Sequence, residues 1–215
     1  MDPSLTMDWM SLLRDRLLES FGDRVVLIGL QGSRARGEAD DDSDIDAVVI
    51  LDTLSVRDLG TYRGILDRMP HRELACGFVS GMDEIARWDP ADLFQFRMDT
   101  VPILGDLGSI LPPMDPDDSR RAAVAGACSI YHACVHNYVH ERSPEILDAL
   151  YKQARFVLRA KHYSETGVFL RTLPDIVSET EESDREIAIG PEGDFDSRSE
   201  ALIGWSSDIV RTFGI

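Results

Sequence analysis

Gly32 and Ser33 follow directly on the apolar run Val25 to Leu30, and Asp44 and Asp46 flank Ile45 at the start of the next such run, 45–51. A Gly-Ser pair after a buried strand lets the backbone turn tightly and come close to a ligand. A short helix starting there would present free N–H groups and the Ser33 hydroxyl to a phosphate. Asp44 and Asp46 are two apart at a strand start, so both carboxylates leave the same face while Ile45 points into the core. Two carboxylates fixed side by side repel each other unless a cation sits between them. Hard oxygen ligands of this kind suit Mg²⁺ bridging to phosphate oxygens. Arg36 and Ser43, in the intervening loop, join Gly32 and Ser33 as candidate contacts to nucleotide phosphates. A DxD pair alone would read as a solvated acidic loop, because 40–46 holds five Asp in seven residues. Its placement after strand and Gly-Ser, on a second strand, is a far narrower pattern. A metal pair there would clamp the attacking and leaving oxygens of an in-line displacement, a reaction that needs mainly positioning and charge neutralisation.

The elements that must hold these residues are legible from periodicity. Leu5, Trp9, Leu12, Leu13, Leu17 and Leu18 predict a helix over 4–21, stopped by Gly22. Two buried strands are expected at 25–30 and 45–51, and a helix at 55–68 capped by Ser55 and ended before Pro70. Residues 72–79 alternate, with Leu74, Cys76 and Phe78 on one face and Glu73 on the other. That alternation puts Glu73 on the face away from Leu74 and Phe78, consistent with a position beside the DxD strand. Short helices are expected around 82–88 and 91–98, with Asp83 and Glu84 as helix-start residues, and then a short apolar run at 101–104. The stretch 111–119, with three prolines and three aspartates, marks a boundary. Beyond it, 117–141, 144–163 and 199–213 are helical patterns around a polar, acidic stretch at 176–199. The fold class expected is α+β: an α/β domain with a mixed sheet over 1–112, followed by a helical bundle over 113–215.

The chain has 215 residues and a net charge of −17, so a polyanion is repelled at long range and bulk nucleic acid is disfavoured as a partner. A cationic small substrate would be attracted, although acidity also serves solubility alone. No apolar run approaches the ~20 residues of a membrane span, and the N-terminus lacks a signal-peptide pattern. A cytoplasmic location is expected. Cys76, Cys128 and Cys134 are too scattered for a disulfide framework or a CxxC zinc site, so reduced thiols are expected.

The run from Gly32 to Leu51 resembles the signature of the DNA polymerase β-like nucleotidyltransferase superfamily, in its small bacterial branch. The resemblance implies a glycine-serine turn, a DxD pair on the next strand, a third acidic residue on a neighbouring strand, and two Mg²⁺ between these carboxylates and an NTP. Carried over, Gly32 and Ser33 go to phosphate and Asp44 and Asp46 to metal, with Glu73 as the expected third carboxylate of the metal site. A weaker likeness to the kanamycin nucleotidyltransferase type extends through Arg72-Glu73-Leu74 and 93–96 to 101–104, and implies a helical C-terminal domain over the nucleotide. The reaction expected is transfer of a nucleoside monophosphate from an NTP to an acceptor hydroxyl on a small molecule or protein, with release of pyrophosphate.

In the helical half, Lys152, Arg155, Arg159 and His162 fall on one helix face. Lys152 and Arg155 are candidate triphosphate contacts, against the alternative that the stripe pairs with surface carboxylates. The Arg155 to His162 spacing also fits the short pattern of HEPN-type ribonuclease domains, which accompany minimal nucleotidyltransferases. That leaves a toxin–antitoxin regulatory protein, acting through a protein partner, as an alternative function, and a silent nucleotide-binding protein as a third. His132, His136 and His140 form another stripe, read as lining a cleft or packing at a subunit contact, as in a homodimer, ahead of binding a metal.

Overall fold

In the computed structural model, which describes residues 3–214, four runs rich in apolar and β-branched residues pair into one sheet. They are β1 (Val25–Gln31), β2 (Ile45–Leu51), β3 (Ala75–Gly81) and β4 (Val101–Leu104), in the order β3-β2-β1-β4. β1 is antiparallel to both β2 and β4, whereas β2 and β3 run parallel, so the sheet is mixed. A parallel pair needs a crossover. Before and between the strands lie α1 (Pro3–Phe21), α2 (Gly32–Arg36), α3 (Val56–Leu66), α4 (Met82–Ile85), α5 (Pro90–Asp99) and α6 (Leu107–Ile110). The crossover is α3, started by a reciprocal capping box between Ser55 and Asp58.

Strand alternation sorts the two faces of the sheet. Ile28 and Leu30 of β1 and Ile45, Ala47, Val49 and Leu51 of β2 pack against Trp9, Leu13 and Leu17 of α1 and Ile65 and Leu66 of α3. Each fully buried Leu or Ile there contributes about 1.5–3 kcal/mol. The opposite face carries Asp46, Val48 and Ile50. Phe78 of β3 pairs with Val48 and meets the rings of Trp88 and Phe96 edge-on, at 5.6 and 5.2 Å between centroids.

The chain divides into two compact units. One takes the chain through Asp89 and then Phe96–Pro113; the other takes Pro90–Gln95 and the chain from Met114 onward. The second unit is helical: α7 (Pro116–His136), a π-helical turn (Asn137–Glu141), α8 (Pro144–Thr166), α9 (Leu173–Glu179), α10 (Glu182–Ile189) and α11 (Phe195–Phe213). Its core holds Ala123, Ala127, Ile130 and Cys134 of α7, Leu147, Ala154 and Leu158 of α8, and Leu202 and Ile209 of α11. No helix among the described residues is long and apolar enough to cross a membrane.

Three expectations change. The strand expected over 72–79 begins only at Ala75, because His71 adopts the left-handed region (φ 53°) and Arg72–Leu74 form a 3₁₀ turn. The acidic stretch 176–199 contains most of α9, all of α10 and the start of α11. Thr172 and Asp194 cap α9 and α11, and acidic first turns suit helix N-termini. The helix expected over 117–141 ends at His136 and continues as the π-helical turn.

Candidate active site

The site is a product of the strand directions. Because β1 runs against β2 and β4, its C-terminal end lies where β2 and β4 begin, and the parallel β3 begins there too. Gln31 pairs with Asp46, and Asp46 with Cys76. Gly32–Ser33, Asp44–Asp46, Cys76 and the Asp99–Thr100 corner ahead of β4 therefore come from four separate stretches of sequence to one edge of the sheet.

Gly32 is held there by backbone geometry. Its φ is +74°, and a Cβ on it would lie 2.0 Å from Oδ2 of Asp46. The turn and the carboxylate thus occupy touching positions, and only glycine permits both. Gly32 and Ser33 open α2, a single turn of five residues closed by Gly37 in the left-handed region. Arg34 fixes the loop ahead of β2, since its guanidinium donates to the carbonyls of Ser43 and Asp44, the latter at 3.0 Å. Ser43 itself donates to Asp40 Oδ1 at 2.6 Å and accepts from the Asp40 backbone N–H, closing that loop.

Asp44 is exposed and Asp46 half-buried. Burial, and then the charge of Asp44, push the Asp46 carboxyl above its ordinary value, while a hydrogen bond from the Cys76 thiol pulls the other way. Burial also raises the Cys76 thiol, as do the charges of Asp46 and Asp44. A carboxyl raised by its neighbour's charge is one that a cation would relieve.

Asp99 is the residue that sequence reasoning missed. It is buried, accepts from both Arg36 Nη1 (2.7 and 2.9 Å to its two oxygens) and the Gly32 N–H (3.2 Å). Gln31 reinforces the corner by donating to Thr100 Oγ1 at 2.6 Å and to the Phe96 carbonyl. Arg36, expected at the nucleotide phosphates, is committed to Asp99 and to Glu38, 2.9 Å away, with its side chain only 10% exposed. No local pattern announces such a partner 63 positions away.

The remaining expected residues are placed as follows. Glu73 sits in the 3₁₀ turn before β3, with its side chain 72% exposed and 3.6 Å from His71 Nδ1. Among the described residues no three His, Cys, Asp or Glu side chains are gathered closely enough to hold a metal ion, so Glu73 does not converge on the pair. Lys152 and Arg155 belong to the helical unit; Lys152 is exposed, and Arg155 Nε donates to the Ala188 carbonyl at 2.9 Å. Their neighbour Arg159 is buried and holds the carbonyls of Leu170 and Arg171. His136 and His140 stand 4.8 Å apart between ring centres, with Glu141 3.5 Å from His136.

Residues 10–96 match the model of the nucleotidyltransferase domain. A comparison with curated protein sequences gives no match. Among solved structures, the chain is similar to spectinomycin adenyltransferase AAD(9) from Enterococcus faecialis, crystallised with ATP and spectinomycin. The identity is 14%, the TM-score 0.61, and the match covers 96% of this chain and 99% of that one. At that identity the likeness speaks for the fold alone; the segment that matches the domain model contains β1, the Gly32–Ser33 turn, β2 and β3. The segment of this chain that matches the nucleotidyltransferase domain, residues 10–96, holds the DxD pair of Asp44 and Asp46 at the start of β2.

Proposed function

We propose that this chain transfers a nucleoside monophosphate from an NTP to a hydroxyl group of a small molecule and releases pyrophosphate. The observation that carries the reading is the contact of the Gly32 turn with Asp46, inside the segment that matches the nucleotidyltransferase domain. The small-molecule acceptor is favoured by the adenyltransferase of similar fold, whose structure contains ATP and spectinomycin.

Asp44 and Asp46 would hold Mg²⁺, which is typically bound through one or two carboxylates together with substrate phosphates. When bound, the metal supplies positive charge to the polyphosphate. The residues of the chain supply position. Gly32 would let the backbone approach the phosphates, and the Ser33 hydroxyl would donate to them. Arg34 fixes the loop that presents Asp44, and the Asp99–Arg36 pair holds the turn against the end of β1. In the reaction the acceptor oxygen bonds to the α-phosphorus as the bond to the β-phosphate oxygen breaks. The electron pair leaves with pyrophosphate and the hydroxyl proton leaves to a base. The ribonuclease alternative draws no support from the helical unit, where Arg155 already serves the Ala188 carbonyl.

The test is incubation with ATP or GTP labelled at the α-phosphate, Mg²⁺ and a panel of hydroxylated amines, sugars and cyclitols. Label should appear in an acceptor together with an equal amount of pyrophosphate. Transfer to nothing in the panel, with Asp44 and Asp46 intact, removes the claim of activity.

A further inference from the structure

The strand position beside Asp46 decides how much metal this site takes. In the β2–β3 ladder Ile45 pairs with Ala75 and Asp46 with Cys76, so the side chain next to Asp46 on β3 is a thiol. It is exposed at the sheet edge, in register with Asp46. Sulfur is a poor ligand for Mg²⁺, which demands oxygen donors. The other carboxylate at this edge, Asp99, is engaged by Arg36 and by the Gly32 N–H. Glu73 stands in the turn before β3, and no group of three ligating side chains exists among the described residues. Two divalent ions about 3.5–4 Å apart need carboxylates to bridge and offset them.

From this arrangement we infer that the site binds one divalent ion per nucleotide, and that Cys76 is the residue that keeps it at one. The inference rests on the nucleotidyltransferase reading and departs from the two-metal arrangement that the sequence resemblance implies. A carboxylate at position 76 would stand beside Asp46 and complete a second set of oxygen ligands.

The test counts metal rather than turnover. Mn²⁺ stoichiometry is measured by electron paramagnetic resonance and by calorimetry, on the full chain saturated with α,β-methylene-ATP. The wild type and Cys76→Ser should each bind one Mn²⁺ per bound nucleotide, and Cys76→Asp or Cys76→Glu should bind two. Two Mn²⁺ on the wild type would overturn the inference and leave the nucleotidyltransferase reading standing. One Mn²⁺ on both acidic variants, with nucleotide still bound, would overturn the role of Cys76. A wild type that binds neither nucleotide nor Mn²⁺ would overturn both.

Discussion

A methyl group at position 32 would have to share space with the Asp46 carboxylate and adopt a φ of +74°. Gly32→Ala should therefore lose stability by about 1–3 kcal/mol through backbone strain and the clash. It should lose turnover as well, because Asp46 is the group pushed aside. Urea melts and initial rates on one preparation check both effects; a variant as stable and active as the parent would show that the turn and the carboxylate are independent. Asp99 makes a different demand. Removing it takes from the half-buried Arg36 the carboxylate that meets its Nη1 with both oxygens, so Asp99→Ala should destabilise the first unit by roughly 3 kcal/mol, in the range for breaking a buried pair. A melt unchanged by that substitution would mean that the pair does not hold the turn.

Among the elements, the strands and the Gly32–Ser33 turn were legible because local pattern decides them: β2 and β4 run over the same residues as their apolar patterns, and Ser55 caps α3 as its position before the helical run suggests. What was not legible depends on register. That Cys76 rather than Glu73 stands beside Asp46 follows from where β3 starts, which a left-handed His71 and a 3₁₀ turn fix. Asp99 came from the end of a helix and was paired only by the approach of β4 to β1. At this scale Asp58 supplies a prediction in pH. Its carboxyl is held well below the ordinary range by Arg24 first, and then by Ser55 at the cap. A depressed folded value means stability fully present above the unfolded value, near pH 4, and lost as pH falls through the folded one. Asp58→Asn should therefore lower the melting temperature at pH 7 and flatten the acid limb below pH 4. Parallel acid limbs for parent and variant would contradict this role.

Over the whole molecule the net charge of −17 opposes the approach of a polyphosphate. Screening shortens that repulsion, since the Debye length falls from about 30 Å at 0.01 M to about 8 Å at 0.15 M ionic strength. Nucleotide association, measured by stopped flow with a fluorescent ATP analogue and Mg²⁺, should accelerate with added salt. The opposite slope would place the charge elsewhere than near the nucleotide's path. The central claim concerns the carboxylate pair itself, and one measurement reaches it most directly. Pyrophosphate release is compared between the wild type, Asp44→Asn and Asp46→Asn, with Mg²⁺ and with excess chelator, once an acceptor is in hand. Each substitution, and the chelator alone, should cut the rate by about 10³-fold, the order expected for loss of an electrostatic contribution to phosphate transfer. A rate that survives both asparagine variants would contradict the assignment of Asp44 and Asp46 as the working centre.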